Sequence, residues 1–330
     1  MKKKILNILL IILVSLITIA LIFIMIYKKN LKRSYKDFVN ISETFCLIPG
    51  LDTEFVPQGI SYNEKHNLIL VTGYNTDKTA SPLFILDTNG KLTKKVTMKT
   101  LENKDYTGHA GGIISFNDII FISSGSKVYT LNINNVLEAN DNDSVKVDAV
   151  TKVAVSGATM FVYKDFLFVT EFYEETKNQT DVSHHIKTPS GDTNKALAFA
   201  YEIDEESTSG LKSDEPELVM SIPVKIQGFL ATNEDLIIST SFGRYNDSYI
   251  YKYKNILNYD TDNTYTYNDL ELPLYIMDKA DITYTLLAPP MSEGMTFYND
   301  SMLVLFESAA SKYRLTTRCK TEYIWQIKSV

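Results

Sequence analysis

Hydrophobic and polar positions beyond residue 50 follow one order five times over. The copies are PQGISYNEKHNLILVTGY from Pro57, AGGIISFNDIIFISSG from Ala110, SGATMFVYKDFLFVTEF from Ser156, IQGFLATNEDLIISTSF from Ile226 and SEGMTFYNDSMLVLFES from Ser292. Each reads as a glycine preceded by a polar or small residue, an apolar run, a turn rich in Asn, Asp or Lys, and a second apolar run. Short β-branched and aromatic runs bounded by such turns are strand signals. The glycines that register the copies are Gly59, Gly112, Gly157, Gly228 and Gly294, at spacings of 53, 45, 71 and 66 residues. Two further strand-like runs follow most copies. In the first these are PLFILDT and KLTKKVTM, joined by the hairpin signal Thr88-Asn89-Gly90. Units of four short antiparallel strands in series predict an all-β fold, a β-propeller of five four-stranded blades. The two long spacings, after Gly157 and Gly228, leave six blades as the alternative.

The fifth unit ends after TEYIWQIK and lacks its fourth strand, while FVNISETFCLIPG, residues 38–50, is a strand without a blade. The N-terminal strand is therefore expected to complete the last blade, closing the ring and leaving no open sheet edge. Antiparallel pairing sets the start of Thr321–Lys328 against the end of Phe38–Leu47. That places the two cysteines, Cys46 and Cys319, near one another. A disulfide between them is expected, stabilising by roughly 3–5 kcal/mol on the chain-entropy account. The alternative is two unrelated thiols.

Ahead of the repeats lies a different composition. Residues 5–27 are apolar apart from Asn7, Ser15 and Thr18, and about 20 apolar residues suffice to cross a bilayer as a helix. The expected division is a cytoplasmic stub at 1–4, an uncleaved transmembrane signal anchor at 5–27, a basic linker at 28–37 and the propeller at 38–330. Lysines and arginines flank the apolar run on both sides, and the positive-inside rule alone favours an inward C-terminus. The tri-lysine start resembles an export element, and a disulfide belongs in an oxidising compartment. The propeller is therefore expected outside the cytoplasm, at the cell membrane. The net charge is −7, and the first 36 residues are strongly basic, so the repeat domain is more acidic than the whole. That excludes nucleic acid, whose phosphates need a basic surface.

Candidate chemistry follows the repeat. The residues before the glycines are Gln58, Gly111, Ser156, Gln227 and Glu293. If they face the channel, its mouth carries two amides, a hydroxyl and a carboxylate, which suits a neutral polar ligand such as a sugar. The bland reading is that the glutamines satisfy backbone groups at strand starts. Glu171 and Glu307 interrupt apolar runs at the ends of second strands, where a carboxylate is costly unless paired. Arg244, Lys312, Tyr313 and Arg314 lie close behind the same positions. Inter-blade ion pairs would explain all of them. A channel site built on Glu171, Glu293 and Glu307 would instead support acid–base chemistry on a glycosidic bond, or hold calcium with help from an amide. His109, in the glycine-rich approach Tyr106–Gly112, is a candidate acid–base or ligand donor. His184 and His185 lie in a long polar loop, 173–195, which could cover a site or contact a partner. Nucleophile-elbow, P-loop, HExxH and dinucleotide motifs are absent from the sequence.

The repeat grammar over residues 38–330 resembles the bacterial extracytoplasmic propellers that include NHL, YncE-like and SMP-30/gluconolactonase-like proteins. The nearest local match is Ser292-Glu293-Gly294 followed by Met302-Leu303-Val304-Leu305. In the lactonases a Glu-Gly opening an inner strand supplies a calcium ligand, so the resemblance implies a metal role for Glu293 alone. The expected function is binding of a cell-envelope glycan, a small polar ligand or an envelope protein. The alternative is a hydrolase, either a metal-dependent lactonase type or a glycosidase.

Overall fold

The computed structural model of this chain describes residues 2–328, without the side chains of residue 2 and residues 20–27. The described residues form five blades. Their inner strands are Phe55–Asn63, Gly112–Phe116, Gly157–Tyr163, Ile226–Ala231 and Ser292–Tyr298. Each packs against the next around the channel, and the fifth packs against the first. Tight hairpins return each to a second strand. Asn67, Asn117, Lys164 and Asn299 make four of those turns with φ between 50° and 54°, a left-handed conformation that asparagine tolerates better than most residues.

One apolar core lies between each pair of neighbouring blades, which explains why the second strands are apolar throughout. In Ser301–Phe306 the side chains of Leu303 and Leu305 pack toward the first blade. Those of Met302, Val304 and Phe306 pack toward the fourth. A strand buried on both faces cannot alternate apolar and polar, because either face exposed to a polar side chain would leave it unsatisfied.

The ring closes as expected. Ser42–Leu47 runs antiparallel to Tyr323–Ile327 as the outer strand of the fifth blade, with Leu47 opposite Tyr323 and Ser42 opposite Ile327. The closing strand is shorter than the expected 38–50, because Lys36–Ile41 is a helical turn that buries Phe38. The spaces that left room for a sixth blade hold other things. Leu270–Ile276, hairpinned to Thr264–Tyr267, adds in parallel to the outer strand of the third blade, Leu218–Ile222. The loop after the third blade's second strand contains a two-stranded ribbon, Ile186–Lys187 with Thr193–Asn194. Likewise Ser144–Lys146 extends the first blade, so the run VKVDAVTKVAV is split between two blades and only Ala149–Lys152 closes the second.

The expected disulfide is not formed: both thiols are free. Register alone brought the cysteines near each other, and side-chain direction separates them. Cys46 points at Gly90 and the first blade. Cys319 is buried between the fourth and fifth blades, so the fifth blade lies between them. Burial pushes the Cys46 thiol up to about 12 and the Cys319 thiol up to about 11, which keeps both protonated and slow to react. Reductant is therefore expected to leave the melting temperature unchanged. A fall on reduction, abolished by Cys46→Ser, would restore the bridge.

Lys2–Tyr27 is a single α-helix, and its apolar side chains from Ile5 to Ile19 are exposed. Among the described residues no helix is long and apolar enough to cross a membrane. The expected span 5–27 continues through residues 20–27, whose side chains lie outside the described ones. The basic stretch 28–37 is packed rather than free. The Lys29 amide donates to the Arg318 carbonyl at 2.8 Å, and its ammonium pairs with Asp247 at 2.6 Å. Tyr35 donates to the same carboxylate at 2.7 Å and is buried with Phe38 between the fourth and fifth blades.

Candidate functional site

The inner strands begin at one end of the ring, and there a cavity of about 780 Å³ opens at the channel mouth. A local irregularity builds its floor. The antiparallel ladder skips one residue between Pro57 and Gly59 and between Ile226 and Gly228, and skips Glu293 and Gly294 against Leu305 between Ser292 and Met295. A bulge re-aims the side chain it leaves unpaired, and those left out include Gln58, Gln227 and Glu293, all of which line the cavity. Close approach of neighbouring strands is the reason for the adjoining glycine. A Cβ on Gly294 would lie 2.9 Å from the Ile60 nitrogen and 3.1 Å from the Gln58 oxygen. In the third blade the skip falls between Gly157 and Thr159, so Ala158 takes the equivalent place. Ser156 is displaced to the rim, exposed but still in the lining.

Glu293 and Glu307 meet at the floor. Glu293 is 3 % exposed. Burial, and then the charge of Glu307, push its pKa well above the usual carboxylate range. Glu307 is raised to about 7 by burial, against the lowering effects of Gln58, Lys312, its hydrogen bond with Glu293, and Arg244. The two carboxyls are hydrogen-bonded to each other, so they hold a proton between them near neutrality. The Gln58 amide donates to Glu307 at 2.9 Å.

Aromatic rings and cations form the wall beside this pair. The Lys312 ammonium donates to the Tyr74 hydroxyl at 2.7 Å and lies over the Tyr74 and Tyr313 rings. The Arg244 guanidinium lies 4.9 Å from the Tyr313 ring centre and donates to Thr316. Burial and then Glu307 hold the Tyr313 phenol well above its ordinary value. His109 stacks on Tyr74 at 4.6 Å. Its side chain is exposed at the cavity. Desolvation by the surrounding protein first, and Lys312 second, push its pKa down to about 4, so the ring is neutral at pH 7.

Glu171 lines the same cavity but is bonded to other partners than the Glu293–Glu307 pair. It is buried, accepts from the Leu197 amide at 3.0 Å and pairs with His184 Nδ1 at 2.8 Å. Glu171 and Glu307 looked equivalent by motif. Along the ladders, however, Val169 matches Val304, which puts Glu171 opposite in phase to Glu307. Its role is to pin the 173–195 loop, whose residues Lys177–Thr180 overhang the cavity. Arg314 is exposed on the connection after the fifth blade's second strand and is not part of the lining.

Calcium does not fit these residues. Among the described residues no three His, Cys, Asp or Glu side chains converge as a metal site. The ends of the second strands, which include Tyr74, Phe172 and Phe242, form a second ring in the sequence, and these three aromatics line the cavity. Tyr74 and Phe172 stand at the same ladder position as Glu307, so the signal lay in aligning the ends of the second strands by register.

The chain matches no protein-family model and none of the curated proteins compared with it. Among solved structures, the WD40 domain of coronin from Toxoplasma gondii is similar at a TM-score of 0.35 and 8 % identity. That match covers 80 % of this chain and 55 % of the coronin chain, so this chain spans about half of that protein's length. Kuenenia stuttgartiensis hydrazine synthase is similar at a TM-score of 0.35 and 7 % identity, over 79 % of this chain and 68 % of that one. Likeness at this level carries no argument, and the assignment as a five-bladed β-propeller stands on this chain's own strand pairing.

Proposed function

We propose that this chain is a membrane-anchored, extracytoplasmic β-propeller that binds a small polyhydroxylated ligand, such as a unit of a cell-envelope glycan, at the channel mouth. The observation that carries this is the floor of the cavity. Two amides, Gln58 and Gln227, and the proton-sharing pair Glu293–Glu307 converge there beneath aromatic walls. Such a floor offers donors and acceptors to hydroxyls, while Phe172 and Phe242 in the lining offer apolar surface to a sugar ring. The anchor is supported by the apolar run 5–27 and by exposed apolar side chains along its helix. The outward orientation rests on the likeness of the N-terminus to an export element, because the free thiols no longer bear on it.

The test is a glycan array probed with the full chain in detergent, repeated with Glu307→Ala and Gln227→Ala. Removing a charge-assisted hydrogen bond is expected to weaken binding about 10- to 100-fold for Glu307→Ala, and less for Gln227→Ala. Binding that survives both changes would move the ligand elsewhere, toward an envelope protein partner on another surface.

The carboxyl pair also favours a second reading, a hydrolase with acid–base chemistry at Glu293 and Glu307 and His109 nearby. The lactonase likeness of Ser292-Glu293-Gly294 brings no metal site with it. Carboxyls in hydrogen-bond contact are also closer than the roughly 5 Å a retaining glycosidase needs. This reading therefore implies a metal-free hydrolysis other than glycosidic cleavage.

A further inference from the structure

The apolar helix and the cavity mouth leave the propeller on the same face. The helix ends at Tyr27. One residue later the Lys28 ammonium donates to the Thr317 carbonyl at 2.5 Å and the Leu315 carbonyl at 3.3 Å. The Lys29 amide is bonded to Arg318. Leu315, Thr317 and Arg318 belong to residues 307–322, the connection between the fifth blade's second and third strands. That same connection carries Glu307 and Tyr313 into the cavity. The link between helix and ring is therefore without slack.

The surface around this exit has the composition of a membrane contact. Leu315 is 84 % exposed, and Tyr245 is exposed beside it, on the fourth-blade connection 241–247 that also carries Phe242 and Arg244 into the cavity. The two connections hold Arg244, Lys312, Arg314, Arg318 and Lys320 against only Asp247, Glu307 and Glu322. Those acids are already occupied. Asp247 is paired with Lys29, Glu322 with Lys320, and Glu307 shares a proton in the cavity. Cationic side chains interspersed with an exposed leucine and tyrosine suit an anionic headgroup layer, where each base adds attraction and a tyrosine ring sits at the polar–apolar boundary.

We propose that residues 241–247 and 307–322 rest on an anionic bilayer surface, with Leu315 and Tyr245 at headgroup depth, so that the cavity opens toward the lipid. This rests on the anchor reading above. A ligand reaching Glu293 and Glu307 then arrives along the membrane plane.

The experiment places an environment-sensitive fluorophore at Leu315→Cys in the full chain, embedded in nanodiscs of mixed phosphatidylglycerol and phosphatidylcholine with a headgroup-proximal quencher lipid. Asp300→Cys, in the hairpin at the opposite end of the fifth blade's inner strand, is the reference. Label taken up by the unsubstituted chain is subtracted; the native thiols are slow to react. The expected result is strong quenching at 315 and little at 300. Arg314→Glu, or salt near 1 M where screening acts within about 3 Å, is expected to reduce the quenching several-fold while the chain stays embedded. Tyr245→Cys gives an independent second reporter. Equal quenching at 315 and 300 in an embedded chain overturns the docking and leaves the anchor standing. A chain that an alkaline carbonate wash strips from the discs overturns the anchor, and the docking with it.

Discussion

Glu293→Gln is expected to stabilise the protein at neutral and alkaline pH and to leave it unchanged in acid. In the folded chain Glu293 stays protonated, because burial and the neighbouring Glu307 disfavour its charge. In the unfolded chain it ionises with the ordinary carboxylate value near 4.5. Folding therefore takes up a proton between pH 4.5 and the raised folded value. A group that binds more protons folded than unfolded makes stability fall as pH rises. Glutamine keeps the shape and a donor toward Glu307 but has no proton to take up. The gain grows as pH rises above the ordinary carboxylate value and vanishes below pH 4. Denaturant unfolding of both proteins at pH 4 and pH 8 measures it. The wild type is also expected to lose stability through pH 7 as Glu307, raised to about 7, gives up its proton. Equal stabilities at both pH values would mean that Glu293 is ionised in the native state and that the pair shares no proton.

Phe38→Ala is expected to cost about 3–5 kcal/mol, the usual range for emptying a fully buried phenylalanine site. Phe38 is 0 % exposed, with ring centres 5.3 Å from Trp325 and 6.0 Å from Phe306. It lies one helical turn before Ser42–Leu47, so the cavity would form where the ring is closed. Loosening that strand would leave Tyr323–Ile327 as an open edge, and aggregation during unfolding is the expected companion. Urea titration should show a lower midpoint with an unchanged slope. A loss under about 1 kcal/mol would show that the segment before Ser42 merely lies on the ring.

Particular residues show which parts of this protein are legible in its sequence. The glycine-registered copies gave five inner strands because a channel leaves room for backbone alone at that point, and a local requirement of that kind repeats in sequence. Closure by the N-terminal strand was legible from a simple count, one unit a strand short and one strand without a unit. Glu293, Gln58 and Gln227 were legible as a group because each stands immediately before the glycine that registers its copy. The Cys46–Cys319 bridge failed because register fixes which residues are opposite, but not which face of a blade each side chain leaves. Glu171 lines the cavity but bonds to His184 rather than to the other carboxyls for the same reason, since a single step along a strand reverses a side chain's direction. The contact of Lys312 with Tyr74 and the cradle for Lys28 depend on pairings hundreds of residues apart, as from Lys28 to Thr317.

By itself, then, the sequence determined whatever a strand dictates within one repeat: the five inner strands, ring closure, and the glycine that lets inner strands approach, while the count of five blades rather than six waited on what fills the long spacings. Only the tertiary structure decided what happens between repeats. It pairs the Glu293 and Glu307 carboxyls over one proton, separates the thiols, lends edge strands to neighbouring blades, and brings the exit of the helix beside the cavity. Repeat-internal features follow from short-range sterics and hydrogen bonding, which every copy must satisfy. Contacts across the ring follow from closure, which no single copy contains.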